Sequence, residues 1–303
     1  MMAARTVLIT GSNGLLGDKV LARAVGRYRV TGISAAPCVN PEHGDFTFRQ
    51  VDIRDRDAVM RVMHETRPDV VLHTAAMTNV DGCERDPETA WAVNAMGTMH
   101  LADACVQTGA RMVLLSTDYV FDGEHGPYRE DDRPRAISAY GRSKLAAEQT
   151  TAATCEDYAI ARTSVLYGWS PHARTNFVTW LAGELRAGKE VKVVTDQTSS
   201  ATLADNLADM VLALGEVDAQ GTFHTCGGDW LSRYELALRI VRLFQLDGGL
   251  IIPIETAELR QPAPRPKHSG MVAERILEAT GVRPLSTDEG LAAFKRSWKA
   301  ARP

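Results

Sequence analysis

A glycine-rich turn between a strand and a helix constrains this chain most. The apolar segment Thr6–Thr10 predicts a buried strand, and residues 15–25 predict the helix that follows it. Between them lie Gly11, Gly14 and Gly17, a GxxGxxG spacing rather than the commoner GxGxxG. These glycines permit a tight turn, close approach of a pyrophosphate to the backbone, and close packing of helix on strand. The helix N-terminus attracts phosphate, so the turn predicts a nicotinamide dinucleotide site.

Apolar runs alternate with helical patterns beyond this turn, as in parallel sheets with right-handed crossovers. Further strands are predicted at 28–33, 46–52, 69–74, 111–116 and 158–163, and helices at 55–65, 87–108 and 138–151. After about residue 170 the rhythm weakens, with helices predicted at 176–188, 202–214 and 232–244, strands at 191–194 and 221–226, and an extended loop at 262–266.

This pattern predicts an α/β fold: a Rossmann-type, doubly wound parallel sheet with a smaller α+β cap. We expect residues 1–170 to form the NAD(P)-binding domain, which the late strand near 221–226 rejoins. Residues 171–303 are then the substrate-binding C-terminal domain.

Composition narrows the classes of partner. Apolar residues make up 45% of the chain, charged residues 24%, and the net charge is −4, so no nucleic acid or membrane partner is expected. No apolar run approaches the ~20 residues of a membrane span. The first ten residues lack a signal-peptide cleavage region, and five scattered cysteines form no CxxC pair. We expect a cytoplasmic protein with reduced thiols and no metal site.

The end of the second predicted strand bears on the choice of cofactor. Ser34 stands where an acid would hydrogen-bond a ribose 2′-hydroxyl and repel a 2′-phosphate. The missing acid favours NADPH slightly over NADH, although no arginine adjoins Ser34. Asp52, after the third strand, is placed to meet the adenine edge or, alternatively, to cap helix 55–65. Ile53 could pack on the adenine face.

Three residues suggest the chemistry. Thr117 lies at the carboxyl end of a predicted strand, and Tyr140 and Lys144 share one helix face. A phenol has a pKa of ~10, which a neighbouring ammonium would lower. A hydroxyl such as that of Thr117 could hold a substrate carbonyl beside the phenol, which would protonate its oxygen as hydride reaches carbon. The Tyr-Lys spacing alone would equally suit a solvated helix face.

With this glycine turn and with Thr117, Tyr140 and Lys144, the chain resembles the extended short-chain dehydrogenases/reductases. Within them it is similar to the dTDP-4-dehydrorhamnose reductase family of sugar-nucleotide reductases. The similarity covers nearly the whole chain and rests on GSNGLLG at 11–17, AAMTNVDGCE at 75–84, STDYVFDG at 116–123, PYREDDRPRAISAYGRSKLAAE at 127–148, ARTSVLYG at 161–168, DQTSSATLADNLA at 196–208 and RPKHSG at 265–270.

The resemblance implies roles for individual residues. The catalytic set is Thr117, Tyr140 and Lys144, with Tyr140 protonating the 4-keto oxygen of dTDP-4-dehydro-L-rhamnose or a close relative. NADPH or NADH is held by Tyr140, Lys144, Gly11, Ser12, Asn13, Gly14, Leu15, Leu16, Gly17, Asp52, Ile53, Thr74, Ala75 and Ala76. The nucleotide-sugar substrate meets Thr78, Val80, Asp118, Tyr119, Gln197 and Arg265, the last at its diphosphate.

Structural roles remain open for some of these residues. Loop packing would also account for Thr78 and Val80, and a surface salt bridge for Arg265. Asn94 is expected to hold backbone geometry rather than to bind ligand.

Some positions depart from the family and leave the sugar open. The family commonly has a tryptophan at the position of Val165; Ala201 and His268 are also unusual. Tyr119 replaces the glutamate that related dehydratases need, which argues against dehydration. A sugar-nucleotide epimerase and a non-catalytic subunit resembling the methionine adenosyltransferase β subunit are the alternatives. Some members of the family form Mg²⁺-linked dimers, so a homodimer is compatible with the resemblance.

Overall fold

The computed structural model describes residues 5–300, and a parallel sheet lies at its centre. In chain order the strands are β1 Thr6–Thr10, β2 Arg29–Ser34, β3 Thr47–Gln50, β4 Val70–His73, β5 Arg111–Thr117, β6 Tyr158–Thr163, β7 Leu166–Tyr167, β8 Val191–Val194, β9 Thr198–Ser199, β10 Thr202–Leu203, β11 Gly221–His224, β12 Leu231–Ser232 and β13 Ile251–Ile254. The helices are α1 Leu15–Ala24, α2 Arg56–Thr66, α3 Val80–Arg85, α4 Pro87–Trp91, α5 Gly97–Thr108, α6 Ala139–Thr154, α7 Phe177–Arg186, α8 Ala204–Glu216, α9 Arg233–Phe244, α10 Thr256–Leu259, α11 Glu274–Thr280 and α12 Thr287–Ala300.

The main sheet has seven strands in the order β11-β6-β5-β4-β1-β2-β3, and every neighbouring pair is parallel. The strand order reverses between β1 and β4, whose last residues, Thr10 and His73, are paired. Open α/β sheets bind ligands at the carboxyl ends of their strands beside such a reversal. The predicted Rossmann-type, doubly wound fold is confirmed.

Side chains of the central strands are buried on both faces of the sheet. Val7 and Ile9 of β1 pack with α1 and α8, whereas Leu8 between them packs with α2 and α5 on the other face. A strand covered on both faces reads as a continuous apolar run, which is why these strands can be recognised in the sequence.

A separate apolar cluster forms outside the main sheet. It joins α7, α9 and α12 with the short parallel pair β8 and β13. Leu291, Phe294 and Trp298 of α12 are almost completely buried in this cluster. The sequence predictions did not include α12, and they also omitted α3, α10 and α11.

The predicted helix at 87–108 is not continuous. Helix α4 is followed by a π-helical turn, Ala92–Met96, before α5 begins. Asn94 lies in this turn, where it accepts a hydrogen bond from the Met77 amide (2.8 Å) and donates to the Met77 carbonyl (3.1 Å) and Ser143 Oγ (3.0 Å). The extra residue in the turn directs this side chain at the loop after β4, a structural role as expected.

Two general features complete the fold. All five cysteines are free thiols, and four of them are buried. None of the helices within residues 5–300 is both long and apolar enough to cross a membrane.

Candidate functional site

The glycine turn is as tight as its sequence predicts, and the structure explains two of its glycines. Gly11 has a φ of 65°, and a Cβ there would lie 2.8 Å from the Ala75 Cα. At Gly17, a Cβ would lie 2.2 Å from the Gly11 carbonyl oxygen. Gly17 therefore packs the helix against the turn itself rather than against the strand. Gly14 is the N-cap of α1, so the backbone amides of the first helical turn have no carbonyl acceptor within the helix.

A cleft of about 540 Å³ opens above this turn, and we call it the glycine cleft. Eight of the predicted cofactor residues line it: Gly11, Asn13, Gly14, Asp52, Ile53, Thr74, Ala75 and Ala76. Four others do not. Ser12 is buried under the turn, where its hydroxyl donates to the Ile33 carbonyl (3.4 Å), and Leu16 belongs to the core. Leu15 lies near Gly168, and Gly17 is buried behind the turn.

Asn13 supplies a test of whether a dinucleotide fits here. Its Nδ2 donates to the Pro37 carbonyl (2.7 Å), which fixes the side chain. Its Oδ1 is buried and has no hydrogen-bond partner within residues 5–300. A buried acceptor without a donor is costly, and a ribose hydroxyl of a bound dinucleotide would satisfy it. The cleft, the helix N-terminus and this oxygen fit a dinucleotide.

Asp52 does not cap the helix that follows it, because Asp55 accepts the hydrogen bond from the Ala58 amide. The Asp52 carboxylate instead lines the glycine cleft and pairs with Arg54 (2.6 Å). The Arg54 guanidinium therefore lowers the pKa of Asp52. Arg54 lines the same cleft as Ser34, although it is not among the residues that adjoin Ser34 in the sequence.

Thr117 is the last residue of β5, and its hydroxyl is fixed by local contacts. Its Oγ1 accepts a hydrogen bond from the Tyr119 amide (3.2 Å) and donates to Asp118 Oδ1 (3.1 Å). It thereby caps the short 3₁₀ turn Asp118–Val120 that follows the strand. The sheet thus holds a hydroxyl at its carboxyl edge, as the sequence predicts.

Helix α6 brings Tyr140 and Lys144 to the same edge. Ser138 caps the helix by accepting a hydrogen bond from the Gly141 amide (3.1 Å). A Cβ at Gly141 would lie 2.2 Å from the Tyr119 carbonyl oxygen, so the helix can dock this closely only with glycine here. The Tyr140 ring consequently meets the Tyr119 ring edge to face, with centroids 5.7 Å apart.

Burial controls the acidity of Tyr140. It raises the pKa of the phenol above its ordinary value, and a hydrogen bond with Thr117 opposes the rise. The expectation that Lys144 gives Tyr140 a lowered pKa is therefore wrong. Desolvation disfavours the phenolate by more than nearby donors stabilise it, so the phenol keeps its proton at neutral pH.

Lys144 is a buried cation without a hydrogen-bond partner. Its side chain is 3% exposed, and its ammonium forms no hydrogen bond within the described part of the chain. Burial lowers the pKa of Lys144 to about 8, although Glu148 one turn along opposes the shift. The buried ring of His73 lies nearby, and burial lowers its pKa to about 3, so it is neutral at pH 7.

Asp118 was predicted to meet the sugar, but the structure places its carboxylate inside the protein. It accepts hydrogen bonds from Ser164 Oγ (2.7 Å) and Ser269 Oγ (2.5 Å) as well as from Thr117. The carboxylate ties the end of β5 to two later segments of the chain. Burial raises its pKa, while the three hydroxyls oppose the rise.

The remaining predicted substrate residues fall into two groups. Val80, the first residue of α3, packs in the same apolar cluster as Tyr140, whereas Thr78 is exposed. The other three line a second cleft, of about 310 Å³, which we call the arginine cleft: Tyr119, Gln197 and Arg265. Arg265 also pairs with Asp81 (3.0 Å).

Comparison with known proteins shows where this site belongs. The RmlD substrate binding domain family matches residues 5–299. The chain belongs to this family. It is 35% identical over 295 residues to the probable low-salt glycan biosynthesis reductase Agl14 of Haloferax volcanii (96% of this chain, 97% of the relative). It is 33% identical over 308 residues to the dTDP-4-dehydrorhamnose reductase of Mycobacterium tuberculosis (99% and 92%).

A solved structure agrees with these relatives. The dTDP-4-dehydrorhamnose reductase of Bacillus anthracis, in complex with NADP, superposes with a TM-score of 0.85 at 32% identity, covering 98% of this chain and all of that one. The predicted family is confirmed.

One departure from the family is also a strained residue. Val165, which the resemblance marks as unusual, has a φ of 39°, a region that β-branched residues rarely enter. It follows Ser164, whose hydroxyl binds Asp118, and its carbonyl accepts a hydrogen bond from the Thr202 amide (3.1 Å). Such strain costs on the order of 1–3 kcal/mol and persists only where surrounding contacts enforce it.

Proposed function

We propose that this chain catalyses NAD(P)H-dependent reduction of the 4-keto group of a nucleotide-activated deoxysugar, dTDP-4-dehydro-L-rhamnose or a close relative. The chain is an NAD(P)-dependent oxidoreductase, the class to which its named relatives belong. The observation that carries the reaction is the buried Tyr140 phenol with Thr117 beside it at the carboxyl edge of the sheet.

The glycine cleft would hold the cofactor. Amides at the start of α1 would meet the pyrophosphate, and Asn13 Oδ1 would accept a hydrogen bond from a ribose hydroxyl. Ser34 stands in this cleft where an acid would repel a 2′-phosphate, so NADPH is slightly favoured over NADH; Arg54 lies in the same cleft, but its charge is balanced by Asp52. We assign the cofactor to residues 1–170 together with β11, and the substrate to residues 171–303 with the loops at the sheet edge.

The proton is supplied by this chain. When bound, the reduced nicotinamide supplies hydride to the carbonyl carbon. Thr117 would turn its hydroxyl proton from Asp118 Oδ1 to the carbonyl oxygen, and Tyr140 would transfer its proton to that oxygen as negative charge develops there. The buried phenol remains protonated until the hydride arrives, and transfer of its proton then depends on the negative charge that develops on the substrate oxygen. Lys144 would hold the nicotinamide ribose and, as a cation, limit the cost of the transient phenolate.

The test is oxidation of NADPH and NADH, followed by absorbance, with dTDP-4-dehydro-L-rhamnose and related 4-keto sugar nucleotides. We expect turnover with at least one of them. In Tyr140→Phe we expect NADPH affinity to be retained and kcat to fall by about 10²–10⁴-fold, the usual contribution of a general acid.

Tyr158→Phe is the matched control, since Tyr158 begins β6 at the opposite edge of the sheet and its hydroxyl forms no hydrogen bond within the described residues. It should keep full activity. An epimerase would interconvert sugars without net NADPH oxidation, and a regulatory subunit would show no turnover; either result contradicts the proposal.

A further inference from the structure

The arginine cleft contains more positive charge than the predicted Arg265 alone supplies. Arg233 and Lys192 line it together with Arg265. None of the described residues that line this cleft has a carboxylate. Cations that converge on one cavity repel one another, and an anionic ligand removes that cost.

No ion pair or hydrogen bond holds the Arg233 guanidinium among residues 5–300. The buried Asp118 carboxylate attracts its charge from a distance, and the guanidinium lies over the Phe177 ring, 4.8 Å from the ring centroid. Its backbone is held firmly, because its amide donates to the Gln197 carbonyl (2.8 Å) and Ser232 caps α9 in front of it. The guanidinium is thus positioned on an aromatic face with its donors unused.

Arg265 has donors to spare in the same cleft. Its two hydrogen bonds, to Asp81 Oδ1 (3.0 Å) and to the Ala263 carbonyl (2.9 Å), both use Nη1. Its Nε and Nη2 form none within the described residues. The charge of Arg265 also helps burial to lower the pKa of Arg233, which shows that the two guanidinium groups interact unfavourably across the cleft.

Two neighbouring groups point to a ligand larger than a bare anion. The Gln261 Oε1 lines the cleft, is buried, and has no hydrogen-bond partner among residues 5–300, so it requires a donor. The Trp180 indole, 40% exposed, lines the same cleft and offers an apolar plane. An N–H or O–H donor, an aromatic ring and a diphosphate are combined in one class of compound, the nucleoside diphosphates.

We infer that Arg233 and Arg265 clasp the diphosphate of the nucleotide-activated substrate, with the nucleobase against Trp180. The inference rests on the proposed function and adds Arg233, which sequence reasoning missed because α9 reads as an ordinary amphipathic helix. Planar guanidinium groups bind phosphate oxygens through paired, charge-assisted hydrogen bonds, and a cation already desolvated by Phe177 loses little hydration on binding. Tyr119 lines this cleft and packs on Tyr140, so a diphosphate here places the attached sugar at the phenol.

The test is calorimetric titration of the full chain with dTDP, thymidine and NADPH. We expect Arg233→Gln to weaken dTDP binding by about 10- to 100-fold, the usual loss when a hydrogen bond to a charged group is removed. Thymidine and NADPH affinity should stay unchanged. The matched control is Arg242→Gln on the same helix, which is exposed, unpaired within the described residues and expected to bind dTDP normally.

The outcomes separate this inference from the reaction. Equal dTDP affinity in wild type and Arg233→Gln would overturn the inference, as would an equal loss for thymidine. If dTDP binding depends on Arg233 but no 4-keto sugar is reduced, the proposed reaction fails and the diphosphate site stands. If a 4-keto sugar is reduced and Arg233→Gln leaves its KM unchanged, the diphosphate site alone fails.

Discussion

Lys144 is charged, buried and without a hydrogen-bond partner among residues 5–300. Burying its ammonium therefore lowers the free energy of unfolding, and only a bound ligand would interact with the charge directly. Burial lowers its pKa from 10.5 to about 8, and Glu148 recovers part of the loss. That difference corresponds to about 3 kcal/mol of destabilisation at neutral pH. Methionine has a similar shape and no charge, so Lys144→Met should stabilise the protein at pH 7 by about 3 kcal/mol.

The pH dependence has a definite sign. Below pH 8 the folded and unfolded chains both carry the proton, and the folded chain bears the full cost. Between about 8 and 10.5 the folded chain has lost the proton while the unfolded chain keeps it, so this group adds stability as pH rises. The advantage of Lys144→Met is therefore largest below pH 8 and disappears by about pH 10.5.

Thermal unfolding at a series of pH values measures the effect. At about 2.1 cal/mol/K per residue, a chain of this length should gain about 5 °C at pH 7. NADPH affinity should fall in the same variant, because the cation is then missing. Lys189→Met, at an exposed lysine paired with Glu184, is the control and should leave the pH profile unchanged. A Lys144→Met variant no more stable than wild type at pH 7, or a gain independent of pH, would refute the reasoning.

Two further substitutions test the turn and the core. Gly17→Ala places a Cβ 2.2 Å from the Gly11 carbonyl oxygen and should weaken NADPH binding at least tenfold, as measured by fluorescence titration. The control is Gly183→Ala, whose Cβ would meet nothing within 4 Å and which should bind NADPH normally. Equal NADPH affinities in the two variants would contradict this account of the turn. Glu148→Gln breaks a buried bidentate ion pair with Arg162 (2.9 and 2.7 Å). It should lower the free energy of unfolding by about 3 kcal/mol and the melting temperature by about 5 °C. An unchanged melting temperature would show that the pair adds no net stability.

Elements of the fold could be predicted where burial produces a recognisable apolar pattern in the local sequence. Strands of the main sheet are covered on both faces, so each reads as an apolar run between turn signals. Helix α12 was missed although Leu291, Phe294 and Trp298 recur at helical spacing, so its pattern was present in the sequence. The break at Ala92–Met96 left no such trace, because it depends on contacts of Asn94 with Met77 and Ser143.

The residues of the candidate site also fall into those that the local sequence predicts and those that it does not. Thr117, Tyr140 and Lys144 could be found because a strand end and one helix face bring them together at known spacings. Arg54 and Arg233 could not, since each reaches its cleft through packing between elements that are distant in sequence. A search limited to the neighbours of Ser34 excludes Arg54, although the strands β2 and β3 lie side by side in the sheet.

The error over Tyr140 shows why spacing identifies a catalytic pair but does not determine its protonation state. A lysine one turn away favours the phenolate, but burial of the phenol is a separate effect that acts in the opposite direction. Here Gly141 lets α6 dock so closely on Tyr119 that burial outweighs every other effect. A general acid works best when its pKa lies near the working pH, so a phenol buried in this way depends on groups that stabilise the phenolate as its proton leaves. Lys144, one helical turn from Tyr140, is placed to do so.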